Sequence, residues 1–363
     1  MITGVAAVTP LGRDVRTTRE ALASGRCAIA PVDGPDATAG PDASPAARIG
    51  AFTTEPELPK AKARRFDRGS QFAVVAARQC FTDAGYSVDG REERLGILLA
   101  TGSAGAGPLI EFERQLAVES PETASPFLFP YTVANAPASQ AALELKLKGP
   151  NVTLIQKDSG PLNALLYARM MLADSRADAL LVGAADEWAL VYHQGYESVH
   201  ATRTSRRAGH ALGEGAALVL LESEETARAR GATPYARLAG LAQRTRPFPP
   251  FVRRADPAVL AETIRAALDD AALEPSAIGL VHLSANGATW IDEAEREALV
   301  SVFGEPLPRT LAVKLQIGEN PAMVATQLAL AALALREEPG VGAVLVDAFA
   351  AGGNYMAAVF TRP

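Results

Sequence analysis

The stretch Thr153–Met171, TLIQKDSGPLNALLYARMM, runs from a β-branched segment through Asp-Ser-Gly-Pro into an apolar helix. A strand-to-helix elbow of this kind bends the chain sharply, and the helix N-terminus favours negative charge at the bend. It presents Asp158, with Pro161 in the first helical turn, where a missing N–H costs little. An Asp there is a good N-cap, so capping and fold maintenance are the leading reading of Asp158 and direct chemistry the lesser one. The helix LNALLYARMMLA is apolar nearly all round and has to be covered on every side.

Outward from the elbow, RLGILLATG (94–102) and NVTLIQ (151–156) read as strands before the helix, and ADALLVGAADE and GAALVLLE as strands after it. The last third repeats this order: RTLAVKLQ (309–316), the turn IGENPA, the apolar helix MVATQLALAALALREE, then GAVLVDAF and YMAAVFTR. Glu319, just before Asn320-Pro321, reads as a second polar residue at a helix start. Two such helices, one per half, are most simply buried between two sheets. The expectation is a duplicated α/β fold in five layers, α/β/α/β/α, with halves 1–225 and 226–363 in one compact unit. Between the halves lie a charged surface helix and a Pro- and Arg-rich loop near 243–256. Its Arg244, Arg246, Arg253 and Arg254 read first as a solvated basic loop and second as a phosphate receiver. The basic run 60–70 likewise reads as surface, and the 34–47 region as a mobile loop.

The 363 residues are 48% hydrophobic and 21% charged, as in ordinary globular proteins, and the net charge of -6 speaks against general nucleic-acid binding. No apolar run is long enough to span a bilayer, and the start lacks a signal-peptide pattern, so the cytoplasm is the expected location. Cys27 and Cys80 give no disulfide framework, and His193, His200, His210 and His282 give no zinc spacing; no metal or cofactor is expected.

The opening ITGVAAVTPLG, RRFDRGSQFAVVAARQCFTDAG, SPFLFPYTVANAPASQAALELKLKGPN, GHALGEGAALVLLESEETARARGA and the terminal DAFAAGGNY resemble, in order and spacing, a β-ketoacyl synthase of the thiolase-fold superfamily. The resemblance covers nearly the whole chain and implies the duplicated thiolase-like fold. Active members use an elbow cysteine as acyl acceptor and two histidines that stabilise oxyanions during condensation. By alignment this chain has Asp158 for the cysteine and Asn286 (in SANGATW) and Glu319 for the histidines; it keeps Lys314, Asp292 and Glu295. Phe349 is kept, and Ala351 stands where a gating phenylalanine is common.

A carboxylate is a weaker nucleophile than a thiolate and would form a reactive mixed anhydride, and a second acid puts like charge where donors are needed. Condensation by this chain is therefore not expected. The resemblance then implies a chain-length factor, the non-condensing subunit that pairs with an active Cys-His-His ketosynthase in type II polyketide, polyene or aryl-polyene systems and shapes the acyl tunnel. Carrier-bound phosphopantetheine would be handled mainly by the partner. Acyl carrier protein would be a further partner, with the basic stretches 60–68 and 203–207 assisting its docking. NVTLIQ, with Val152 and Leu154, would be covered on both faces and pair across the dimer, while Phe127, Phe129, Tyr131 and Val133 would reach the subunit contact and tunnel wall, with plain core packing as the alternative for each. Two other readings stay open: a thioester hydrolase or acyltransferase using Asp158 and Glu319 with Lys314, and a homodimeric acyl-binding module.

Overall fold

In the computed structural model, the residues described are 1–32, 43–87, 92–247, 254–350 and 352–363; the expectations for Arg253, Ala351 and most of the 34–47 loop lie outside them. One sheet is built from β1 (Ile2–Val8), β2 (Leu95–Ala100), β3 (Asn151–Leu154), β4 (Ala179–Asp186) and β5 (Gly215–Glu222), in the spatial order β1-β5-β4-β2-β3. A second takes β6 (Arg237–Thr245), β7 (Ile278–His282), β8 (Arg309–Leu311), β9 (Ala343–Ala350) and β10 (Asn354–Thr361), in the order β6-β10-β9-β7-β8. Numbered within its own half, each sheet reads 1-5-4-2-3. Strand directions repeat as well: β1/β5 and β5/β4 are antiparallel and β4/β2 and β2/β3 parallel, matched by β6/β10, β10/β9, β9/β7 and β7/β8.

The longer helices are α1 (Arg68–Asp83), α2 (Ala136–Leu145), α3 (Gly160–Ala173), α4 (Pro257–Asp270), α5 (Thr289–Phe303) and α6 (Pro321–Glu337). On the outside of the first sheet lie α1 and α2, between the sheets α3 and α6, and on the outside of the second α4 and α5. These are the five layers expected. The central strands β4 and β5 are buried along their whole length, which explains why ALLVGAAD and GAALVLLE lack a polar alternation: both faces are covered. Helix α6 is buried from Pro321 to Leu335, as its all-round apolar surface requires.

The first half departs from expectation at its margin. Strand β3 is the free edge of its sheet; Asn151 is exposed, Val152 and Thr153 are partly exposed, and only Leu154 is buried. Helix α3 follows that edge strand, so its outer half overhangs the sheet, leaving Tyr167 and Met170 exposed in place of the full burial predicted. In the second half RTLAVKLQ is a strand only to Leu311, and Lys314–Ile317 form a helical turn. The sequence reading missed β6 and β7. The first lies in an Arg-rich segment taken for helix and loop, and IGLVH is too short to stand out from its surroundings. No helix among the described residues is long and apolar enough to cross a membrane.

Candidate functional site

At the end of β3 the chain turns at Lys157, whose φ of 47° is the left-handed conformation a sharp bend demands. A single 3₁₀ turn, Lys157–Ser159, leads into α3. Gly160 lets the helix approach the sheet: a Cβ there would sit 2.7 Å from Ala100 Cβ. The residue at the helix cap is Ser159, whose hydroxyl donates to Gln156 O at 2.9 Å. Asp158 is therefore not the cap the sequence suggested. Nor is Glu319 at the second elbow, where Asn320 caps α6 by accepting from Met323 N at 3.2 Å.

Both acids turn instead toward one buried cation. Lys314 Nζ donates to Glu319 Oε1 at 3.1 Å and lies 3.9 Å from Asp158 Oδ1, with its own side chain only 1% exposed. The physical reason is magnitude: an unpaired buried ammonium costs several kcal/mol, against about 1 kcal/mol for a cap. Burial would lower the Lys314 pKa, but the charges of Glu319 and Asp158 raise it above the ordinary lysine value. Burial likewise opposes the charge on Asp158, yet Lys314 and a hydrogen bond with Glu319 hold its pKa below the usual carboxylate value. Burial, then the adjacent Asp158 charge, push Glu319 well above. The two acids are thus shifted in opposite directions, the charged form favoured at Asp158 and disfavoured at Glu319.

Asn286 reaches the same place on a pinned loop. Glu295 accepts from Ser284 N and Ala285 N at 2.5 and 2.9 Å, and Asp292 accepts from Asn286 N at 3.0 Å. The Asn286 side chain accepts from Ala288 N at 2.9 Å and shares the cavity wall with Glu319. Asp158, Asn286, Glu319 and Phe349, the last stacked on Tyr355, line a cavity of about 920 Å³, with Lys314 behind them. The Lys314 ammonium is turned on the two acids. Condensation needs donors aimed at developing negative charge, and here two acids stand in that place with the nearest cation committed to them.

Part of the wall was not foreseen. Asp186 and Glu187 end β4; Asp186 Oδ1 accepts from Thr101 Oγ1, Gly102 N, Ser103 N and Ser103 Oγ, and Glu187 Oε1 from Gly107 N. Two consecutive acids ending an apolar run, "AADE", were the available signal. The residues proposed for a subunit contact or tunnel lie elsewhere. None of Phe127, Phe129, Tyr131, Val133, Val152 and Leu154 lines this cavity. Phe127 is 84% and Phe129 61% exposed, Val133 is exposed, Tyr131 and Val152 are half-buried, and Leu154 is buried. Phe129 packs on Phe112 and Tyr131 on Phe66. Of the basic stretches, Lys62 pairs with Glu144, Arg68 with Glu214 and Arg246 with Asp256, while Arg207 donates to Thr202 O.

Residues 1–227 match the family model of the β-ketoacyl synthase N-terminal domain, and residues 235–339 that of the C-terminal domain. The chain is 28% identical over 326 residues to 3-oxoacyl-[acyl-carrier-protein] synthase 2 of Staphylococcus aureus (strain N315), covering 84% of this chain and 77% of the relative. Among solved structures it is similar to the ishigamide ketosynthase/chain length factor, with TM-score 0.87 and 24% identity over 100% of this chain and 98% of that one. It is also similar to the ketosynthase (ApeO) in complex with its chain length factor (ApeC) from Xenorhabdus doucetiae, with TM-score 0.81 and 19% identity over 100% and 97% of the two chains. At these identities the structural likeness is one of fold.

Proposed function

The chain belongs to the β-ketoacyl synthase family, and from that premise we propose that it is a non-condensing, chain-length-factor-like subunit. It would pair with an active Cys-His-His ketosynthase and shape the acyl tunnel in type II polyketide, polyene or aryl-polyene biosynthesis, in the cytoplasm, with acyl carrier protein as a further partner. On the same reading its halves are 1–225 and 226–363.

One observation carries the proposal: the two elbows hold the acids Asp158 and Glu319, both turned on the buried Lys314, where a condensing enzyme needs a nucleophile and free donors. The open edge of β3 supports the partner, since an unpaired strand edge is a template for pairing. So do the exposed apolar side chains Leu109, Ile110, Phe127, Phe129, Tyr167 and Met170.

Expressing the chain alone and together with a Cys-His-His ketosynthase encoded beside it tests the reading. The expected result is a stable heterodimer in which substitutions at Phe127, Phe129 or Val133 change the product-length distribution. A stable homodimer that hydrolyses acyl thioesters, and loses this activity in Asp158→Asn, would overturn it in favour of the hydrolase.

A further inference from the structure

We infer that the cavity of about 920 Å³ is a binding site for an organic cation, an ammonium group carried on an apolar body. Its size suits a small molecule. Acids on its wall are Asp158, Asp186, Glu187, Glu293 and Glu319, against Lys157 and the histidines His200 and His210. Lys314 pairs with Asp158 and Glu319 from behind, so the field left in the cavity comes chiefly from Asp186, Glu187 and Glu293, offset in part by Lys157 and by Arg48 beside Trp188. That field attracts a cation and repels a carboxylate.

An unsatisfied acceptor on the same wall points to a missing N–H donor. Asp186 is fully buried, and while its Oδ1 accepts several hydrogen bonds, its Oδ2 has no partner among the described residues. Polar groups so deeply buried are ordinarily paired.

Aromatic faces complete the match. Trp188, Tyr192, Tyr196 and Trp290 all line the cavity. Two of these rings already carry a cation of the chain itself, Lys157 Nζ lying 5.2 Å from the Tyr196 centroid and Arg48 4.2 Å from that of Trp188, which leaves Tyr192 and Trp290 for a bound ammonium. An ammonium over such rings is favoured by their quadrupoles, while Ile155 and Val199 offer cover for an apolar body.

The inference concerns one chain's cavity and does not depend on the partner reading, so either can fail alone. The sequence supplies the reporter, because its two tryptophans, Trp188 and Trp290, both stand on this wall. The experiment titrates the full chain at pH 8 with octylammonium, octanol and octanoate, reading calorimetric affinity and tryptophan emission. The ammonium is expected to bind about tenfold more tightly than octanol, with octanoate weakest. That preference should shrink in Glu293→Gln, an exposed site that leaves folding intact, and with added salt. Equal affinities, tighter octanoate, no binding of the ammonium, or ammonium binding that leaves tryptophan emission unchanged would each overturn it.

Discussion

Lys314 shows how far one charge organises this site. Removing its ammonium leaves Asp158 charged and mostly buried beside a second acid, and breaking a buried pair from one side typically costs about 3–5 kcal/mol. Lys314→Met should destabilise the fold by that order in urea unfolding, and Lys314→Met/Asp158→Asn should recover part of the loss. If the single variant costs no more than a surface substitution, the account of Asp158 as an ion partner fails. Glu187 gives a pH-dependent test. Burial and the nearby Asp67 charge push its pKa from 4.5 to about 7. A carboxyl raised in the folded state contributes its stability fully below pH 4.5 and loses it as the pH rises through 7. Glu187→Gln should therefore exceed the parent in stability by on the order of 3 kcal/mol above that pH, with the difference vanishing in acid. Denaturant unfolding at pH 4 and pH 8 checks it.

At the scale of elements, the edge strand β3 carries the sharpest expectation. Pro150 O and Leu154 O accept from Ile97 N and Thr101 N, so the alternation of a parallel ladder turns the Thr153 N–H to the free edge. Thr153→Pro removes that outward donor and keeps the ladder bonds to β2, since the residue before a proline favours the extended backbone Val152 already has. It should leave the isolated chain folded, as seen by circular dichroism, while blocking co-purification with a ketosynthase partner; normal co-purification would rule out edge pairing. Helix α6 offers a control on the capping assignment. Asn320→Ala should cost about 1 kcal/mol of unfolding free energy through the lost bond to Met323 N. A Glu319→Ala effect that merely matched it, independent of Lys314, would restore the cap reading for Glu319.

For the whole molecule the question is what the exposed apolar side chains are for. Phe127 and Phe129 are 84% and 61% exposed, so truncating them removes little burial within the chain. Phe127→Ala/Phe129→Ala should change unfolding free energy by no more than about 1 kcal/mol, yet weaken a heterodimer by about tenfold or more if these rings are anchors. Unchanged assembly would remove them from the contact.

The sequence by itself determined the layered, duplicated architecture. Two all-round apolar helices after similar elbows, joined to uninterrupted apolar strands, have few ways to be buried, and the chain's order allows the sandwich observed. It also determined which side chains occupy the degenerate positions, since Asp158, Asn286, Lys314 and Glu319 follow from the resemblance to the β-ketoacyl synthase motifs. Only the tertiary structure decided what those side chains do. Capping is a local interaction and looked sufficient for both acids. The partner that draws Asp158 is Lys314, brought within 3.9 Å by the packing of one half against the other. A buried ammonium contacted across that junction outweighs a local cap, and no sequence window contains both ends of such a contact. The same holds for Asp186 and Trp188: their roles depend on a cavity that exists only once the two sheets and their loops have closed around it.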